Sequence, residues 1–351
     1  MFDAVPADEY DHDDPPMKPI RLVDLDDLSH PEVLATIESD MERNLYASHD
    51  WSIRFYLTIA WHGFIAVAYE QREGAPPLLL PEMQFSYAHL ALSDMHVSTK
   101  ARKRSSRYRL RLNGDLDGVL AGIQASHDSW VLPKYQELLR ILHRRPVRVP
   151  VEGGSFLHVN SIELIDSESG VLVAGEVGYT IGAVYTSLTG FFDRASTAAS
   201  ASPAEPSAKP RIAHSSAGTV QLVALGSLLR SCGFRFWNLG HPPRRATPTR
   251  EGRMWYKAEL GARVYPRPKF LEAWKLARSE LPAQTLHEAL PPEGVGVREL
   301  LQRNTRCAGE HQEISTSTGT ATTAGADIAS HAGAAEHAAT LTRPATTGSC
   351  P

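Results

Sequence analysis

Residues 156–177 read FLHVNSIELIDSESGVLVAGEV. Phe156 to Ile165 alternates in strand fashion, Ser167-Glu168-Ser169-Gly170 supplies a turn, and Val171 to Val177 returns, which predicts a β-hairpin. Gly178 to Phe192, rich in Gly, Tyr, Val and Thr, predicts that the strand continues. Beyond it, Thr219–Arg230 is a strongly apolar helical pattern stopped by Gly233. Phe234–Leu239 then reads as a strand, Arg253–Leu260 as a short helix closed by Gly261, and Ala262–Tyr265 as a last strand. Upstream, Pro133–His143 carries Tyr135, Leu138, Leu139 and Leu142 on one helical stripe, and Leu116–Ala125 predicts a helix opened by Asp115. Met95–Ser98 reads as a short strand. Trp51–Tyr69, aromatic and β-branched, reads as strand or strand–turn. Val33, Leu34, Ile37, Met41 and Leu45 have helical spacing between Pro31 and Tyr46.

Helix, helix, hairpin, long strand, helix, strand, short helix and strand, in that order, predict an α/β protein whose mixed sheet carries helices on both faces. The order resembles the GNAT-like acyltransferase fold. The expected organisation is an acidic flexible arm (1–20), a small N-terminal α+β domain (21–112), a GNAT-like domain (113–284) with a low-complexity insert (195–217), and a mostly disordered tail (285–351).

The chain has 351 residues, 36 Lys and Arg against 40 Asp and Glu, and a formal charge of −4. That total averages over segregated charge. Residues 1–50 carry 14 acids and three bases, and 285–351 carry seven acids and four arginines. Residues 51–284 therefore hold 29 bases (36 − 3 − 4) and 19 acids (40 − 14 − 7), a net of +10. Such asymmetry points to a polyanionic partner for the centre of the chain. The basic run Lys100, Arg102, Lys103, Arg104, Arg107, Arg109 and Arg111 contains no acid, and Arg140, Arg144, Arg145 and Arg148 form a second cluster. A third is Arg244, Arg245, Arg250 and Arg253. Clustered Lys and Arg suit phosphate contacts, and they equally suit a charged edge strand.

Cys232, Cys307 and Cys350 are too scattered for a metal motif or a disulfide framework, which predicts a reducing, cytoplasmic setting. The acidic N-terminus lacks the features of a signal peptide, and the longest apolar stretch, Leu57–Tyr69, is too short to span a membrane. HExxH, GxSxG, GxxxxGK[ST] and GxGxxG are absent.

Four segments together resemble the leucyl/phenylalanyl-tRNA–protein transferase family. Met95-His96-Val97-Ser98-Thr99-Lys100 is similar to its Leu-His-Ile/Val-Ser-Arg/Lys stretch, and Ser129-Trp130-Val131 to its Thr-Trp-Ile. Ser161-Ile162-Glu163-Leu164 followed by Leu172-Val173-Ala174-Gly175 is similar to its Ser-Ile/Val-Glu-Val-Trp hairpin and Leu-Val-Gly-Gly. Leu260-Gly261-Ala262 with Pro266-Arg267 is similar to its Leu-Gly-Ala and Pro-Arg pattern. Three departures accompany the likeness. Leu188 stands at the Glu of Gly-Glu-Ser-Met-Phe, Asn238 and Gly240 at the Asp and Gln of Asp-Cys-Gln, and His62-Gly63-Phe64-Ile65-Ala66 replaces a Trp-rich Gly-x-Phe-Pro-Trp.

The resemblance implies aminoacyl transfer from aminoacyl-tRNA to the N-terminus of an acceptor protein with a basic first residue, without a cofactor or metal. A monomer away from the membrane is expected. Asn238, His241 and Glu163 are the catalytic candidates. A histidine suits general base work, although the turn His241-Pro242-Pro243 alone would explain His241. Glu163 would serve the acceptor amine or be an ordinary exposed strand carboxylate. Trp130, Tyr256 and Lys257 are substrate-binding candidates, with a core Trp and surface helix charge as the plain alternatives. Lys100, Arg102, Lys103, Arg104, Arg107, Arg109, Arg144 and Arg145 are the tRNA-binding candidates. A coenzyme-A-dependent N-acetyltransferase and an inactive tRNA-binding relic are the rival functions. Against the first, no Arg/Gln-x-x-Gly-x-Gly/Ala loop opens a helix.

Overall fold

The computed structural model describes residues 19–71, 75–126, 130–192, 216–243 and 254–303. The 1–18 part of the expected arm, the bulk of the low-complexity insert, Ser129, the third basic cluster, Cys307, Cys350 and residues 304–351 lie outside them.

In chain order the N-terminal elements are β1 (Arg21–Leu22), α1 (Pro31–Ser39), β2 (Tyr46–Ala47), α2 (Ile53–Trp61), β3 (Ile65–Tyr69), β4 (Leu78–Glu82), β5 (Ser86–Ala91), α3 (Thr99–Arg104) and β6 (Tyr108–Leu112). Next come α4 (Leu116–Ser126), α5 (Pro133–His143), β7 (Val147–Arg148), β8 (Phe156–Asp166), β9 (Leu172–Ile181) and β10 (Val184–Phe192). The chain continues through α6 (Ala217–Ser231), β11 (Phe236–Asn238), α7 (Tyr256–Glu259), β12 (Arg263–Pro266), α8 (Arg267–Ala277), α9 (Leu286–Ala289) and β13 (Val295–Gly296).

The centre is a nine-stranded sheet of order β12-β5-β11-β10-β9-β8-β6-β13, with β7 beside β8. It is antiparallel except for the pair β10–β11. Both faces are covered, so β8 is buried along nearly its whole length. Val119, Leu120 and Ile123 of α4, Tyr135, Leu138, Leu139 and Leu142 of α5, and Phe270, Leu271 and Trp274 of α8 form one core with residues of α1 and α2. Val220, Val223, Ala224, Leu228 and Leu229 of α6 form the other, with Ala101 of α3 and Leu260 just after α7.

The hairpin expected at 156–177 is present, as are α4, α5 and α6. The strand expected to run on to Phe192 is two strands. The chain reverses at Gly182, whose φ of +53° is left-handed and whose added Cβ would sit 2.1 Å from the Arg278 carbonyl oxygen. Trp51–Tyr69 is α2 followed by β3, because the Ser52 side chain caps the helix by accepting from the Phe55 N–H at 3.1 Å. Periodicity cannot separate a short fully buried helix from a buried strand. Likewise Met95–Ser98 is no strand. Ser98 accepts from the Ala101 N–H at 3.2 Å and starts α3, so the basic run begins as helix.

The expected divide between 112 and 113 separates no layer, since β5 and β6 pair in the same sheet as β8–β11. Part of the expected tail is also ordered: β13 pairs with β6, residues 297–303 are helical, and Val297, Leu300 and Leu301 are buried.

One buried cation ties the N-terminal region to the sheet. Arg267, fully buried at the start of α8, donates to the carbonyls of Gln84 (3.1 Å), Ile37 (3.3 Å) and Arg43 (3.0 Å), and also to those of Asp40 and Met83.

Candidate active site

The parallel pair β10–β11 spans three residues on each strand, Val184–Thr186 against Phe236–Asn238. From Ser187 to Phe192, β10 has no strand beside it on that side among the described residues. The two strands thus part at Ser187 and Leu239, and polar side chains collect where they separate.

On the α6 side, Glu176 of β9 is buried at 4% exposure. Its Oε1 accepts from the hydroxyls of Ser187 (2.6 Å) and Tyr185 (3.1 Å), while among the described residues Oε2 has a single long contact, from Gln221 of α6 at 3.5 Å. The Trp237 indole N–H donates to Ser187 Oγ at 2.7 Å and holds that hydroxyl in place. Lys257 of α7, also 4% exposed, donates from Nζ to the His241 carbonyl at 2.6 Å and approaches Met254 Sδ at 3.3 Å. Burial pushes the Glu176 carboxyl up to about 7, partly offset by the Ser187 and Tyr185 hydroxyls and by Lys257. Burial pulls the Lys257 ammonium down to about 8, with Glu176 acting the other way. Tyr256 is pushed up by desolvation of its ring and then by Glu176, although 40% of the residue is exposed. Two opposite charges are therefore buried near each other without forming an ion pair.

On the other face the same strand ends carry Tyr179, Thr186 and Asn238, which are register partners across β9, β10 and β11. Asn238 Nδ2 is buried without a hydrogen-bond partner among the described residues, and the neighbouring Tyr179 and Thr186 hydroxyls have at most each other. Asn238 Oδ1 accepts from the Gly240 N–H at 3.0 Å. Buried orphan donors and acceptors are uncommon and mark a place where a ligand group or water would complete them. The link between the faces is the turn after β11: the His241 carbonyl meets Lys257, while its ring meets Glu82 at 3.0 Å.

The structure thus brings Asn238, His241, Tyr256 and Lys257 around the end of β11. Glu163 is elsewhere. It is fully buried, which corrects the reading of an exposed carboxylate, and it pairs with Arg111 at 2.6 Å. It also accepts from Ser161 Oγ (2.7 Å) and from the N–H groups of Gly114 (3.0 Å) and Asp115 (2.9 Å). Ile162 faces Glu176 across the ladder, so Glu163 lies on the opposite sheet face from Glu176. Its carboxylate fixes the approach to α4 and is fully occupied. Trp130, half-buried, packs edge-on against Tyr135 with centroids 5.2 Å apart.

The basic run divides in the same way. Lys100, Arg102, Lys103 and Arg104 are exposed on α3. Arg107 pairs with Asp166, and Arg109 donates to the carbonyls of Glu293 (2.9 Å) and Gly294 (3.1 Å). The free edge strand considered from sequence does not exist, because β6 lies between β8 and β13. Arg144 and Arg145 are exposed just beyond α5, which packs in the other core from α3, so these two clusters do not form one patch.

Glu176 was missed from sequence although a signal existed: it is the single charged residue between Glu168 and Asp193. A buried polar residue is more informative than an exposed apolar one. Its raised pKa also has a stability consequence. Folded Glu176 keeps a proton that the unfolded chain releases near 4.5, so its contribution is full below about 4.5 and is lost as pH rises through about 7. Glu176→Gln is expected to stabilise the protein near pH 8 by up to about 3 kcal/mol, raising its thermal midpoint there, and to leave the midpoint unchanged near pH 4.5. Calorimetry at the two pH values checks this, and equal midpoints near pH 8 would refute it.

Among the described residues no helix is long and apolar enough to cross a membrane. No family model matches the chain. It is 26% identical over 223 residues to the leucyl/phenylalanyl-tRNA–protein transferase of Paracoccus denitrificans, covering 62% of this chain and 80% of that protein. Among solved structures it is similar to L-PGS from Bacillus licheniformis, at 11% identity and a TM-score of 0.31 over 57% of this chain and 65% of that one. It is also similar to the C-terminal domain of a protein assigned as a lysylphosphatidylglycerol synthetase from Agrobacterium fabrum, at 12% identity and a TM-score of 0.31, over 67% and 70%. TM-scores of this size do not define a shared fold. What the sequence comparison supports is a distant relation to the Paracoccus transferase.

Proposed function

We propose that this protein transfers an aminoacyl group of Leu/Phe type from aminoacyl-tRNA to the N-terminal amine of proteins beginning with a basic residue, marking them for degradation in the cytoplasm. The observation that carries this reading is the 26% identity to a leucyl/phenylalanyl-tRNA–protein transferase over 223 residues. The scaffold is read as GNAT-like, with the reaction centre where β10 and β11 part.

In this reaction the neutral acceptor amine attacks the ester carbonyl, the new C–N bond forms, and the C–O bond to the tRNA ribose breaks. The amine's proton passes to the departing ribose oxygen. The ester is already activated, so the protein's task is positioning and stabilisation of the tetrahedral oxyanion. Lys257 is a donor suited to that oxyanion, while Asn238 Nδ2, on the other sheet face and without a partner among the described residues, is suited to another polar group of the substrate. Tyr256 and Trp130 supply aromatic surface for the aminoacyl-adenosine end. Lys100, Arg102, Lys103 and Arg104 on α3, with Arg144 and Arg145, supply phosphate contacts.

Purified protein given radiolabelled aminoacyl-tRNAs or labelled acetyl-CoA, with peptides beginning Arg or Lys, tests the reading. Label should pass from tRNA to peptide. Transfer from acetyl-CoA alone, or tRNA binding without transfer, would overturn it.

A further inference from the structure

Glu176 combines three properties that an inert core residue does not. It is a carboxylate buried on the sheet face beneath α6 and α7. Its Oε1 is fixed by two hydroxyls, one of which is itself clamped by the Trp237 indole. Its Oε2 is left with a contact at 3.5 Å, and among the described residues no Lys, Arg or His pairs with it. The contrast with Glu163 is direct, since that carboxylate has its arginine and two backbone donors. Leaving a buried carboxylate without a cation is costly, and a structure that fixes one oxygen and spares the other keeps a place for a donor.

Position adds to this. Glu176 bonds to Ser187, the first residue of β10 beyond its pairing with β11. A group entering where the strands part meets Ser187 and Glu176 together. Lys257 directs its ammonium to the His241 carbonyl and forms no ion pair with Glu176, so Oε2 is left to another donor.

We propose that Glu176 is the cation-reading residue of this site, accepting an ammonium or guanidinium group of the substrate on Oε2 while Tyr185 and Ser187 hold Oε1. The inference rests on the transferase reading for the source of that cation, which is either the side chain of the transferred amino acid or the first residue of the acceptor. In either case the substrate here is polar at a position that an apolar pocket would reject.

Two measurements test it. In the first, the purified full chain and its Glu176→Gln variant are titrated with argininamide, lysinamide and leucinamide and followed by NMR. The wild type should bind the two basic amides, the variant should bind them roughly 30-fold or more weakly, and leucinamide should not discriminate. Equal binding of argininamide by both proteins, or none by the wild type, overturns the proposal. In the second, transfer is measured with arginyl-, lysyl-, leucyl- and phenylalanyl-tRNA against peptides beginning Arg or Ala. A preference for basic donors identifies the donor as the cation source, and a preference for Arg-first peptides identifies the acceptor. Either preference should collapse in Glu176→Gln through KM, and its persistence there overturns the proposal. Absence of all transfer by the wild type would instead defeat the transferase reading, while the amide titration still decides the role of Glu176.

Discussion

Arg267→Ala is expected to lower the stability of the protein by about 3–5 kcal/mol, the order reached when several buried carbonyls lose their donor and a cavity opens. The wild-type guanidinium spends its donors on five main-chain carbonyls, from Ile37, Asp40, Arg43, Met83 and Gln84. These come from the end of α1, the connection to β2 and the turn between β4 and β5, so one side chain closes three segments against α8. Alanine leaves the carbonyls buried without donors and opens a cavity, and the two costs add. In a protein of this size a loss of that order lowers the thermal midpoint by about 10 °C. Arg267→Lys keeps the charge but brings only three N–H groups, so at least two carbonyls stay unpaired and the midpoint should fall between the other two. Calorimetry of the three proteins is the check, and an alanine variant within about 2 °C of wild type would refute the assignment.

Arg267 also illustrates which parts of the sequence were legible. It closes the Pro-Arg element of a motif quoted for family resemblance, where it could have been taken for a phosphate ligand; burial makes it structural. The hairpin and α5 were readable because their signals are local: alternation bounded by a turn, and an apolar stripe opened by Pro133. Helix α8 has an equally local signal in Phe270, Leu271, Trp274 and Ala277 at helical spacing, and it was overlooked rather than hidden. Helix α2 was hidden, since seven of its nine residues are buried and no polar face sets a period. For the site, the strands carry two carboxylates that look alike in sequence. Glu163 and Glu176 each stand within a strand, and only the pairing of Ile162 with Glu176 puts them on opposite faces. Register between strands is a tertiary fact that no single strand carries. Lys257 and the His241 main chain are separated by 16 positions in sequence (257 − 241) and meet at the turn after β11 for the same reason.

The buried pair on the α6 face sets the largest expected effect on activity. On the proposed reading, transfer uses Glu176 as carboxylate to hold the substrate cation and Lys257 as ammonium to face the oxyanion. Glu176 gains its charge as pH rises through about 7, and Lys257 loses its own as pH rises through about 8. kcat/KM should therefore follow a narrow bell, rising through the first value and falling through the second. The other groups facing the pair are Tyr185, held far above neutrality by burial, Tyr256, near 12, and the neutral Ser187, Gln221 and Trp237. None of these titrates within the window. Because each charge stabilises the other, the two limbs belong to the pair and move together when one member is removed. Glu176→Gln should lose the carboxyl's share of the acid limb, leaving only the deprotonation of the acceptor amine, and shift the alkaline limb to lower pH, since Lys257 no longer has its anion. Lys257→Met should lose the alkaline limb, move the acid limb above about 7, and slow single-turnover transfer by roughly 100- to 1,000-fold, the usual effect of deleting one oxyanion donor. A profile flat between about pH 6 and about pH 9, or a bell that neither substitution moves, would place the reaction away from this pair.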